Sequence, residues 1–182
     1  SITLDPLTKQ YDKSTFYHLC ERILGSNRRV QQTSAVAVIN IDDFTQVNQR
    51  FSHLVGDQVL LELVEIINTI IRQSDLLARF EGDNLAVMLP KADEFSAYQI
   101  CARIKDAIAE HKFEFQNQEF QVTVSMGYTV HDGVQANETN LEALVEFAQN
   151  ALAQSQALGR NRLTFQPAVS ISRGELFTEQ QV

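Results

Sequence analysis

Only three prolines and seven glycines occur in 182 residues, so long flexible linkers have few places to form. Hydrophobic runs are short as well. No window approaches the roughly 18 consecutive apolar residues of a membrane span, and no bilayer crossing is expected from this segment. Positive charge is in deficit, 15 Lys and Arg against 23 Asp and Glu for a net −8, which argues against wrapping nucleic acid through its phosphates. Any phosphate site must therefore be local. Cys20 and Cys101 lie far apart on predicted helices with no signal-type segment before them, so a reducing, cytoplasmic setting without a disulfide is expected. The glycines form neither GxxxxGK[ST] nor GxGxxG, which leaves P-loop and dinucleotide-binding readings without local support. His18, His53, His111 and His131 lack metal-ligand spacing and neither cysteine joins a CxxC, so no zinc site is expected. What remains is 44% hydrophobic and 21% charged, enough for one domain with a proper core. The chain opens at Ser1 without an initiator Met, which leads us to expect a piece of a longer protein.

Hydrophobic spacing then gives the elements. Phe16, Leu19, Cys20, Ile23 and Leu24 line one face of a helix over residues 14–24, after a capped lead-in. Residues 34–42 form a β-branched run suited to a strand buried on both faces. Apolar positions from Val59 to Ile70 recur at helical spacing over 56–72, with Asp57 at the start where it suits the helix dipole. The next stretch reads as a hairpin turning at Glu81, Gly82, Asp83 and Asn84, because Gly accepts positive φ. Residues 93–112 return to helix, 120–130 to strand and 141–158 to helix, which Gly159 can end; 162–165 adds an edge strand. This order implies an α/β (α+β) layer, a mixed and mainly antiparallel sheet with a split βαβ pattern covered by helices. The domain is expected over 1–165, with 166–182 a tail or linker toward a further domain.

Several fragments carry a family resemblance in order. They are Asp5, Leu7 and Thr8 with Asp12, Lys13 and Phe16; Asn40, Asp42 and Phe44, then Val47, Asn48, Phe51, His53, Gly56 and Asp57; Glu81 to Leu85; Ser125, Met126 and Gly127; and Gly159 to Arg162. Together they resemble the GGDEF domains, whose active members are diguanylate cyclases that join two GTP into cyclic di-GMP in bacterial signalling. The resemblance implies the nucleotide-cyclase or palm-like fold and a cytoplasmic domain, within a parent protein free to be membrane-anchored.

It also implies roles, residue by residue. Asn48 and Asp57 match the guanine-reading positions, where amide and carboxylate offer complementary donors and acceptors. Asn40 stands where the family has its first metal-binding Asp, and Asp83 keeps the third signature position, a metal-binding acid implicated in catalysis; Mg²⁺ is the expected cofactor where GTP is bound. Asp42, two residues beyond Asn40, falls on the same side of an extended strand and is a candidate substitute ligand. Glu81, Asn84 and Leu85 depart from the signature's Gly, Glu and Phe. Gln156 replaces a phosphate-contacting Lys, while Arg160 keeps the following basic position. Losing these charges weakens substrate binding and transition-state stabilisation, and Glu81 repels a triphosphate. Arg72 and Asp75 match the family's inhibitory RxxD motif and Arg103 a further Arg of that site; guanidinium forks and a carboxylate suit cyclic di-GMP.

These residues imply a degenerate GGDEF domain without normal cyclase activity, acting as a regulatory module that binds cyclic di-GMP or GTP. One alternative is an active cyclase working as a homodimer. The other is a purely structural module that passes a signal to an attached sensor or EAL phosphodiesterase domain. Six of these site residues also have a plainer reading: Asp57 as a helix start, Asn48 as a turn residue, Asn40 and Asp42 as a polar strand end, and Arg72 with Asp75 as a helix-end turn.

Overall fold

The computed structural model describes residues 1–134 and 139–169, so the tail expected over 166–182 lies outside the described residues from 170 onward. The elements run α1 (Lys13–Val30), β1 (Ser34–Ile41), α2 (Phe44–Arg50), α3 (His53–Ile70), β2 (Leu76–Glu81), β3 (Asn84–Leu89), α4 (Glu94–Glu110), β4 (Phe113–Phe115), β5 (Gln118–Phe120), β6 (Val124–His131), α5 (Leu141–Ala157) and β7 (Leu163–Phe165). Side chains write the long helix starts. Asp12, Ser52, Asp93 and Asn140 each accept from the backbone N–H three residues on, satisfying a donor that the first turn leaves open.

The main sheet has the order β2-β3-β1-β6-β7, antiparallel except for the β6/β7 pair. Strand β3 slots between β1 and β2, the split βαβ arrangement that the element order implied. Alternation along β1 explains why its run from Ala35 to Ile39 is apolar throughout. Ala35, Ala37, Ile39 and Ile41 face a core built with α3 and α4, while Val36 and Val38 face a second core with Phe16, Cys20 and Leu24 of α1 and Leu144, Val145 and Ala148 of α5. Each fully buried Leu or Ile contributes about 1.5–3 kcal/mol, so two covered faces supply the bulk of the stability. Gly127 on β6 is fixed by this packing: a Cβ there would meet the α5 backbone at Ala148 O, 2.1 Å, and Leu152 N, 2.2 Å.

Four local features differ from the sequence expectation, the first being that α1 runs on to Val30, past the expected end at residue 24. Helix α3 starts at His53 rather than 56, because Ser52 caps it. Helix α2 was not expected, being short and without buried residues of its own. The strand expected over 120–130 is divided: β6 begins at Val124, and Phe120 belongs to a separate β4/β5 hairpin that turns on Gln116 and Asn117, both at positive φ. Both cysteines are free and buried, and burial pushes the Cys101 thiol up to about 12. Among the described residues, no helix is long and apolar enough to cross a membrane.

Candidate functional site

Strand β1 ends between the signature hairpin and β6, with Asn40 paired to Asn84 on one side and Ser125 on the other. The hairpin turns at Gly82, φ +54°, directly after a bulge between Arg79 and Glu81. Its turn is braced from within, because Arg79 Nε donates to the Gly82 carbonyl at 2.8 Å. It is braced from outside as well, since Arg79 Nη1 bridges both Asp5 carboxylate oxygens at 3.2 and 3.3 Å. Burial works against the Asp5 charge, yet hydrogen bonds from Thr8 and Arg79 hold its carboxyl below the ordinary value.

At the strand end the structure brings Asn40, Asp83, Asn84 and Gln156 together. Gln156 Nε2 donates to Asn40 Oδ1 at 3.3 Å, and Asn40 Nδ2 donates to Asn84 Oδ1 at 2.9 Å. The result is a one-directional string of neutral amides reaching from α5 across β1 to β3. Asp83 sits beside it, its carboxyl raised by burial, with the Asn40 amide and Arg79 pulling part of the way back. This donor set does not fit Mg²⁺, which favours several carboxylate oxygens in octahedral array. One carboxylate is present, and the Asn40 and Asn84 amide oxygens already accept from neighbours. Among the described residues, no group of three or more His, Cys, Asp or Glu side chains is arranged to hold a metal ion.

Asp42, the candidate substitute ligand, does share the face of Asn40. Its buried carboxylate is engaged there by three donors, accepting from Thr123 Oγ1 at 2.7 Å, Ser125 Oγ at 2.6 Å and the Asn161 N–H at 2.9 Å. Three strong, charge-assisted bonds make it a clamp that ties β1 to β6 and to the loop after α5. Arg160, next in that loop, is exposed and at φ +65°. Sequence reasoning missed the clamp, whose only local signal is a Thr and a Ser two residues apart at the start of β6.

The guanine-reading candidates lie on α2 and α3. Asn48 is held over Gly56, where a Cβ would come within 1.8 Å of Asn48 Oδ1. That oxygen is buried and without a hydrogen-bond partner, an unusual cost for a native amide. Asp57 follows Gly56 and is exposed. Short as it is, α2 is thus the element that positions Asn48.

Arg72 and Asp75 form a closed unit between α3 and β2. The Arg72 N–H donates to Asp75 Oδ2 at 2.7 Å, and Nε and Nη2 reach Oδ2 and Oδ1 at 3.2 Å each. Asp75 has a fully buried side chain, while that of Arg72 is 44% exposed. Arg103 is exposed on α4, and among the described residues no hydrogen bond or ion pair links it to this pair.

Comparison with known proteins fits this arrangement. The family model for the diguanylate cyclase GGDEF domain matches residues 2–162. The diguanylate cyclase DgcP of Pseudomonas aeruginosa is 33% identical over 159 residues, 87% of this chain and 23% of that protein. The probable diguanylate cyclase DgcT of Escherichia coli is 32% identical over 170 residues, 91% of this chain and 36% of that protein. The chain thus spans about a quarter to a third of these relatives' lengths. A crystal structure of the GGDEF domain of DgcB from Caulobacter crescentus, in complex with c-di-GMP, superposes with a TM-score of 0.84 at 24% identity, over 90% of this chain and 92% of that one. At that identity it shows the shared fold.

Proposed function

The chain belongs to the GGDEF domain family of diguanylate cyclases and so to cyclic di-GMP signalling, and from that premise we propose that it is a degenerate member that binds guanine ligands without normal turnover. The observation that carries this reading is a contrast within one molecule. Where phosphoryl transfer needs charge, at the end of β1, the side chains of Asn40, Asn84 and Gln156 are uncharged and bonded to one another. Where ligand recognition needs amides and ion pairs, Asn48 is uncommitted and Arg72 with Asp75 is intact. The domain then serves as a regulatory module in the cytoplasm, taking cyclic di-GMP at Arg72, Asp75 and Arg103 and GTP at Asn48, Asp57 and Arg160. The length of the relatives supports an attached partner domain, a sensor or an EAL phosphodiesterase, to which occupancy is passed. A homodimer would bring two such domains together.

The retained Asp83 favours one second reading, an active cyclase in which it is the surviving metal-binding acid. Isothermal titration with cyclic di-GMP, and in parallel with GTP and Mg²⁺, tests the main reading. Cyclic di-GMP binding is expected in the wild type and lost in Arg72→Ala, and GTP binding lost in Asn48→Ala. Absence of both ligands at micromolar concentration overturns the proposal.

A further inference from the structure

We propose that the nucleotide site of this domain takes its guanine ligand without a divalent cation, and prefers a guanine nucleoside or nucleoside monophosphate to GTP. The inference rests on the reading of Asn48 as the guanine contact and concerns what lies beyond the base. A divalent ion held at the end of β1 by the Asn40 or Asn84 amide oxygen would have to share that oxygen with the hydrogen bond it already accepts, from Gln156 or from Asn40. In return it would gain neutral amide oxygens, weaker ligands for a hard cation than carboxylates.

The three side chains complement one another. Asn40 uses both ends of its amide, donating to Asn84 and accepting from Gln156, so the string is satisfied as it stands and needs no ion to hold it together. An acid at position 40 would lose the donor that Asn84 accepts. A lysine at 156 would put a charge into a chain of neutral groups. The three residues therefore work as a set, closing the space next to the hairpin with hydrogen bonds instead of charge.

Such a set removes the main reason for a site to favour a triphosphate. Without the ion, and with Gln156 in place of a cation, the negative charge of GTP has little to balance it here. Glu81 is exposed at the edge of the hairpin and adds a like charge, lining a small cleft of about 120 Å³ with Asn84 and Gln149. Lys13 lines that cleft too, but its ammonium lies over the rings of Tyr17 and Phe80, at 5.8 and 5.5 Å. Arg160 is the one basic side chain assigned to the phosphates, so each phosphate beyond the first raises repulsion from Glu81 with no further cation to offset it.

Calorimetric titration of the 182-residue chain with guanosine, GMP and GTP, each in excess Mg²⁺ and again in EDTA, tests the inference. Affinities are expected to differ by less than about threefold between the two conditions, with GMP at least as tight as GTP. Tightening of GTP by Mg²⁺ of about tenfold or more, or GTP binding tighter than GMP in EDTA, overturns it. If none of the three ligands binds, the assignment of Asn48 to guanine fails and this inference with it, whereas metal-tightened binding sinks the inference alone. In the triple variant Asn40→Asp, Asn84→Glu, Gln156→Lys, Mg²⁺ is expected to tighten GTP. If that variant binds GTP equally with and without Mg²⁺, the amide string is not what sets metal dependence, and the inference fails.

Discussion

Replacing Gly56 by Ala tests the link between fold and ligand most sharply, because it acts on Asn48 from the other side. A Cβ at this position would lie 1.8 Å from Asn48 Oδ1, 2.9 Å from its Cγ and 3.2 Å from Phe44 Cζ. The first of these is the far end of a flexible side chain, so the amide swings away and the backbone stays. Ala gains about 0.8–1 kcal/mol of helix propensity over Gly. A displaced Asn48 rotamer costs about 0.5–1.5 kcal/mol. The two nearly cancel, and stability should move by less than about 1 kcal/mol. Affinity for a guanine ligand should fall by about 1–3 kcal/mol, roughly 5- to 150-fold, because the ligand's polar edge loses its partner in a partly buried site. Denaturant unfolding and calorimetric titration on the same preparation read both quantities. Binding within about twofold of wild type would refute the role of Asn48. A stability loss above about 3 kcal/mol would refute the claim that Asn48 yields cheaply.

Other expectations follow from the fold. Gly127→Ala drives a Cβ into the α5 backbone, which cannot swing aside, and should cost roughly 3 kcal/mol or more in urea unfolding; a cost below about 1 kcal/mol would mean that α5 packs more loosely than described. Asp42→Ala orphans the Thr123 and Ser125 hydroxyls and the Asn161 N–H and should cost about 3 kcal/mol, with Asp42→Asn milder because the hydroxyls can reorient. Equal effects of the two would show that the carboxylate is not the clamp. The Asp5 carboxyl lies below its ordinary 3.8 in the folded chain, so its bond to Arg79 stabilises above that pH and the benefit disappears as pH falls through the lowered folded value. The stability gap between wild type and Arg79→Gln should therefore be constant near neutrality and narrow below about pH 4. A gap unchanged down to about pH 2.5 would contradict the pairing.

Much of the fold was legible because periodicity and caps agree. The run from 34 to 42 reads as a strand covered on both faces, and the odd and even residues of β1 do enter separate cores. Helix α2 was not legible, since a seven-residue helix with no buried residue leaves no apolar stripe. The β4/β5 hairpin was hidden for a related reason, because Gln116 and Asn117 take positive φ without the Gly that usually marks such a turn. The loss of charge at Asn40, Asn84 and Gln156 is plain in the sequence, but their joining into one string depends on strand register and on where α5 lands, which no local pattern carries. Asp42 shows the limit of spacing arguments. Two-residue periodicity put it on the correct face, and only the structure reveals that three donors already occupy its carboxylate.

The central claim, recognition of guanine ligands without turnover, is tested most directly by incubating the wild-type chain with GTP and Mg²⁺ and separating the products by chromatography. The same assay on Asn40→Asp, Glu81→Gly, Asn84→Glu, Gln156→Lys provides the scale. The account predicts no cyclic di-GMP from the wild type over a period in which the restored variant makes it. Cyclic di-GMP formed by the wild type at a rate comparable to that of the variant would contradict it.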